Sequence, residues 1–100
     1  MTLSSSDKKH LRSLGHNLNP VVTIADKGLS AGVIAELSRA LDDHELIKTR
    51  FSIDDRKLKQ ATIDDACKKL GAELVQAIGH TALLYKKAAK PNPKLSNLLR

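Results

Sequence analysis

One hundred residues, 41% hydrophobic and 28% charged, make up one ordinary globular domain with a single core. Seventeen Lys and Arg against eleven Asp and Glu leave a net charge of +6, which points to a polyanionic partner. No apolar run approaches the roughly 20 residues of a membrane span, the opening Met-Thr-Leu-Ser-Ser-Ser is not a secretory signal, and the lone Cys67 forms no internal disulfide, so a small cytoplasmic protein is expected.

Residues 4 to 15 read as a first helix, capped by Ser4, Ser5 or Ser6, with Asp7 in its first turn and Gly15 as its stop. Leu11 and Leu14, with Leu18 beyond, supply the apolar side, and Lys8, Lys9 and Arg12 share a basic flank. That flank is either a solvated helix face or the margin of an anion site. Asn19-Pro20 then turns the chain into a strand from Val21 to Ala25, whose nearly continuous apolar character predicts burial on both faces.

The loop Ala25-Asp26-Lys27-Gly28 follows, and Ser30 caps a second helix running to about Asp43 with Val33, Ile34, Leu37, Ala40 and Leu41 on one face. A strand that ends in a lysine-bearing loop and feeds a helix suits a phosphate. The loop and first helical amides are expected to be free of internal bonds, the helix dipole adds positive potential, and Gly28 suits positive φ. The same unit also serves as a plain connection.

The next strand, Leu46 to Ile53, alternates Ile47, Thr49, Phe51 and Ile53 with Leu46, Lys48, Arg50 and Ser52, which predicts one buried face and cations on the other. Asp54 or Asp55 caps a third helix that ends at Gly71 and turns Ile63, Ala66, Cys67 and Leu70 inward. Glu73 to Ile78 and Thr81 to Lys86 are strands joined by Gly79-His80 in a type II′ turn. From Ala88 a Lys-Pro-Asn-Pro-Lys stretch predicts a flexible basic tail, 88–100, beyond a domain at 1–87. The resulting α-β-α-β-α-β-β order is an α+β chain of the two-layer α/β type. Its four-stranded mixed sheet has two parallel βαβ units closed by an antiparallel hairpin.

No enzyme chemistry is expected. His10, His16, His44 and His80 show no metal-ligand spacing, and the adjacent pairs Asp42-Asp43, Asp54-Asp55 and Asp64-Asp65 do not face each other on a helix. Cys67 reads as a core thiol, and no Gly-rich nucleotide signature occurs, so no cofactor is expected. With Phe51 and Tyr85 as the only aromatics, base stacking on an aromatic platform is poorly supported and backbone contact is favoured.

A set of residues in order resembles the YhbY-like CRM (chloroplast RNA splicing and ribosome maturation) domain family across about residues 3 to 87. They are Leu11-Arg12, His16, Leu18-Asn19-Pro20-Val21-Val22, Gly28-Leu29-Ser30, Val33, His44-Glu45-Leu46-Ile47-Lys48, Val75-Gln76-Ala77-Ile78-Gly79 and Leu84-Tyr85. The resemblance implies an RNA-binding domain with sheet order 1-2-4-3, like the C-terminal domain of a bacterial translation initiation factor. It also implies rRNA in precursors of the large ribosomal subunit as the partner, with no membrane or small-molecule substrate, for a cytoplasmic protein expected to be a monomer.

The family's hallmark is a GxxG loop between the first strand and the next helix; Ala25-Asp26-Lys27-Gly28 stands there, with Ala25 in place of the first glycine. The arginine usual after the fourth-strand tyrosine is Lys86. The expected RNA contacts are Ala25, Asp26, Lys27, Gly28 and Ser30 at the loop, Lys8, Lys9, Arg12 and His16 beside it, Lys48 and Arg50 on the sheet, and Lys86 and Lys87 at the tail. A module that docks on ribosomal proteins or a GTPase is the alternative.

Overall fold

A computed structural model describes residues 3–25 and 28–87; the expected tail, 88–100, lies outside them. The chain runs α1 (Ser5–Gly15), β1 (Pro20–Ile24), α2 (Ala31–His44), β2 (Leu46–Phe51), α3 (Arg56–Leu70), β3 (Glu73–Ile78) and β4 (Thr81–Tyr85). The sheet order is β1-β2-β4-β3, with β1 parallel to β2 and β4 antiparallel to both of its neighbours. This is the expected mixed sheet.

Each helix starts where a side chain replaces a missing backbone partner. Ser4 and Asp7 form a reciprocal cap on α1, with Asp7 N–H donating to Ser4 Oγ at 3.1 Å and Ser4 N–H to Asp7 Oδ2 at 3.2 Å. Ser30 Oγ accepts from Val33 N–H at 3.1 Å, and Asp55 Oδ1 accepts from Leu58 N–H at 3.0 Å. Gly71 closes α3 at φ 67, a left-handed conformation that glycine adopts without a Cβ penalty. The β3–β4 turn has φ 57 at Gly79, while His80 stays out of the positive region, as a type II′ turn requires.

The sheet packs helices on both faces, unequally. On one face α2 and α3 cover Ile24, Ile47, Phe51, Ala82 and Leu84, and Leu37, Leu41, Ile63, Ala66 and Leu70 complete that core. Thr49 is fully buried in β2, and its hydroxyl has no hydrogen-bond partner. On the other face α1 crosses β2 and β3 and gathers Leu3, Leu11, Leu46, Val75 and Leu83, with Leu14, Leu18 and Tyr85 at the margin. Because α1 is a single helix, it covers only part of that face.

α1 ends at Gly15 as expected, with His16 as its cap at φ −55 and ψ −36. Gly15 is also a contact residue, since a Cβ there would stand 2.5 Å from Leu83 Cδ2, so its missing side chain lets the helix end approach β4. One expectation needs correction. The first strand is not buried on both faces. Val21 is 48% exposed and Thr23 is exposed, because β1 is an edge strand and α1 lies over β2 and β3.

A bulge in β3 matters for the surface. Leu74 pairs with Leu84 and Gln76 with Leu83, leaving Val75 as the extra residue. Val75 turns under α1, and Gln76 shares the face of Leu83. In an unbroken strand Gln76 would face the same way as Leu74, toward α2 and α3.

Candidate nucleic-acid interface

The part of the α1-side face that the helix leaves open is defined by strand register. One row across the sheet is Thr23, Arg50, Thr81 and Ile78; the next holds Lys48, Leu83 and Gln76. Gly15 covers Leu83 from one side, and His16 follows it at the edge of the open strip. A groove of about 170 Å³ lies there, lined by Gly15, His16, Lys48, Gln76, Ile78, Thr81, Ala82 and Leu83. A second groove, of about 310 Å³, runs beside it along Asn17, Leu18, Asn19, Val21, His44 and Ile47 and again meets Lys48. Lys48 therefore stands on a wall common to both. Arg50 is exposed, with Nε donating to Ser52 Oγ at 3.2 Å, which fixes the guanidinium beside the strip.

The turn after β1 sits at the same end of the sheet. Ser52 N–H donates to Ile24 O at 2.7 Å, which ties the end of β1 to the segment after β2. Gly28 N–H donates to Ala25 O at 2.9 Å, and Gly28 has φ 77 with open space around it, so glycine is needed there for its backbone angle rather than for space. This corrects the expectation of a free Gly28 amide, which is spent on Ala25. Ser30 is likewise engaged as the α2 cap, leaving the amides of Ala31 and Gly32 at the helix start without an intrahelical partner. Asp26 and Lys27 lie outside the described residues.

The other expected contacts separate. Lys9 and Arg12 are exposed and Lys8 is half-buried on α1, and none of them lines either groove. Lys86 and Lys87 follow the far end of β4, about 16 Å along the strand from Thr81 at ~3.3 Å per residue. That end is acidic. Burial raises the Tyr85 pKa, and the carboxylates of Glu45, Asp7 and Glu73 raise it further. Lys86 is held there by its backbone, N–H donating to Glu45 O at 2.9 Å. The structure thus brings His16, Lys48 and Arg50 together and sets Lys86 and Lys87 apart from them.

Catalytic readings find little to work with. Burial and Asp64 push the Cys67 thiol up to about 11, so it stays protonated at neutral pH. Asp54 lies 3.6 Å from His80, Asp64 accepts from Gln60 at 3.0 Å, and Asp65 pairs with Lys69 at 3.2 Å; the aspartates serve caps and surface pairs. Among the described residues no three His, Cys, Asp or Glu side chains converge on a metal position, and no helix is long and apolar enough to cross a membrane.

Residues 3–86 match the CRS1 / YhbY (CRM) domain. The chain belongs to this family. Among CRM relatives, it is 47% identical over 100 residues to the Probable RNA-binding protein PA4753 of Pseudomonas aeruginosa, covering 100% of this chain and 96% of that one. It is 45% identical over 85 residues to a Haemophilus influenzae protein named RNA-binding protein, covering 85% and 86% of the two chains. The solution structure of the hypothetical protein SAV1595 from Staphylococcus aureus superposes with a TM-score of 0.68 at 32% identity, over 89% of this chain and 93% of that one. The fold that the resemblance implies, with its 1-2-4-3 sheet, is the fold observed.

Strand alternation in the sequence points to Lys48 and Arg50. It does not point to Gln76, because the β3 bulge that turns this residue outward leaves no mark in an apolar-polar pattern. Gly15 marks both the end of α1 and a close contact, and only the partner strand reveals the second.

Proposed function

We propose that this chain is a non-catalytic RNA-binding protein that acts as an assembly factor on rRNA in precursors of the large ribosomal subunit. The observation that carries the reading is the uncovered strip of sheet holding Lys48 and Arg50, with His16 beside it, at the end of the sheet where the 25–28 turn lies. Cations fixed on a rigid sheet next to a helix start suit a ribose-phosphate chain, since phosphate contacts set position and orientation. Lys27, one residue before Gly28 in the sequence, adds charge to that turn. Lys8, Lys9 and Arg12 extend the basic surface along α1. Family membership and the RNA-binding names of two relatives support the same reading.

Cross-linking in cells followed by sequencing of bound RNA tests it. Enrichment of large-subunit precursor rRNA is expected; recovery of proteins without RNA would turn the reading toward a protein-docking module. At the residue level, Lys27→Glu is expected to weaken precursor RNA binding about tenfold, the cost of one charge-assisted contact, without unfolding the domain. Unchanged affinity would remove the turn from the interface.

A further inference from the structure

We propose that the groove at the end of α1 receives one unstacked nucleobase of a single-stranded RNA segment, and that Gln76 reads its edge. The inference rests on the RNA-binding reading above and adds to it the form of the RNA and a residue that selects it.

The groove's floor is made by three neighbouring strands over two register rows, with Lys48, Leu83 and Gln76 in one and Thr81 and Ile78 in the other. At strand spacings near 4.8 Å and ~3.3 Å per residue, that floor is about 10 by 7 Å. A flat ring system fits such a footprint, whereas a helix needs a longer groove at 10–12 Å diameter. The α1 backbone walls one side, because Gly15 brings the helix end onto Leu83.

The lining divides by chemistry in the way a nucleotide requires. Ile78, 64% exposed, offers aliphatic surface to a base face, and Leu83, buried under Gly15, closes the floor beside it. Lys48 and His16 stand at the margin where flanking phosphates would lie. Across Leu83 from Lys48, on the edge strand β3, is Gln76, whose amide carries both donor and acceptor and can pair with a base edge in two bonds. Among the described residues this amide has no hydrogen-bond partner.

The bulge makes the placement specific. Regular alternation would send Gln76 toward the apolar layer under α2 and α3, where its amide would be buried. The extra Val75 turns it into the groove instead, a use to which bulges are put near binding sites. Charge complementarity selects the occupant. Lys48 lines the groove and Arg50 stands opposite Thr81 in the next register row, so two cations of β2 border it. A base in a duplex keeps its pairing edge engaged and its faces stacked, so single-stranded segments, loops and bulges are the form recognised.

The test compares the full chain with Gln76→Leu, which keeps the side chain's bulk and removes its donor and acceptor. Fluorescence anisotropy would measure affinity for a labelled single-stranded RNA and for a perfectly paired RNA duplex of equal length at one salt concentration. The wild-type chain should prefer the single strand. Gln76→Leu should lower the ratio of the two affinities about tenfold, the value of one edge-reading pair. Lys48→Gln should weaken both RNAs and leave the ratio near its wild-type value. Two outcomes overturn the proposal: an unchanged ratio in Gln76→Leu, including equal losses on both RNAs, or a wild-type preference for duplex. If the wild-type chain binds neither RNA, the RNA-binding reading itself fails.

Discussion

The sheet face crossed by α1 has two ends that differ in cover and in charge. At the end where α1 begins, Leu3 and Leu11 pack on Leu46 and Val75, with Tyr85 at the margin and the carboxylates of Asp7, Glu45 and Glu73 raising its pKa. At the end where α1 stops, no helix among the described residues lies over the row of Thr23, Arg50, Thr81 and Ile78, and Lys48 and His16 border the open groove. A net charge of +6 is thus not a uniform coat. The apolar half of the face is stabilised by burial and tolerates acids at its rim. The uncovered half carries cations on a rigid floor, where they are available to a polyanion. Strand alternation alone places cations on this face; the length and landing point of one helix decide which half remains open.

The largest effect that can break this comparison comes from charge reversal at the open end. Lys48→Glu with Arg50→Glu should reduce RNA affinity at least about a hundredfold, two charge-assisted contacts at no less than about 1.5 kcal/mol each. A loss of less than threefold in a binding titration would mean that the open strip is not the contact surface. Next is the device that keeps α1 on the sheet. Gly15→Val places a branched side chain where even a Cβ stands 2.5 Å from Leu83, and overpacking of this kind costs about 2 kcal/mol. Urea unfolding measures it, and undiminished stability would show that the helix end sits more loosely than described.

A smaller effect sharpens the description of the covered end. Tyr85 is the only tyrosine, so its phenolate absorbance is a single reporter. Burial first, then Glu45, Asp7 and Glu73, holds the folded-state pKa above the ordinary value, which favours the neutral phenol in the native protein. The stability this contributes is complete below the unfolded pKa of about 10 and is lost as pH rises through the folded pKa. Phenolate formation should therefore need a higher pH in the native chain than in urea, and Glu73→Gln should narrow the gap. Coincident titrations would mean that the acidic end exerts no field on the ring. The smallest effect is the control. Lys86→Ala with Lys87→Ala should change RNA affinity by less than about threefold, since both follow the end of β4 remote from Thr81 and the open strip. A loss matching that of the Lys48 and Arg50 reversal would erase the distinction between the ends.

Much of the fold was legible because local chemistry and tertiary packing agree. Ser4, Ser30 and Asp55 each occupy a cap that their short polar side chains suit, and Gly71 and Gly79 each supply a positive φ. Ile47, Thr49 and Phe51 alternate with Lys48 and Arg50 as a half-buried strand should. The failures share one cause, which is dependence on distant neighbours. Val21 and Thr23 are exposed because β1 is an edge that α1 does not reach, a matter of strand order. Glu45 has φ 63 because it alone links α2 to β2, and no glycine marks the reversal. The Gly28 amide is taken by Ala25, which depends on how the turn closes rather than on which residues it contains. Proximity of Lys48 to His16 follows from where α1 lands on β4, and that contact spans almost the whole length of the domain.

The central claim is that fixed cations at one end of this face hold RNA through its phosphates. It is tested most directly by measuring affinity of the full chain for large-subunit precursor RNA across a salt series. With about six phosphate contacts, affinity should fall on the order of a thousandfold between about 50 and 200 mM salt, and the log–log slope should flatten in the Lys48→Glu, Arg50→Glu variant. A wild-type affinity that stays level over that range would contradict the account.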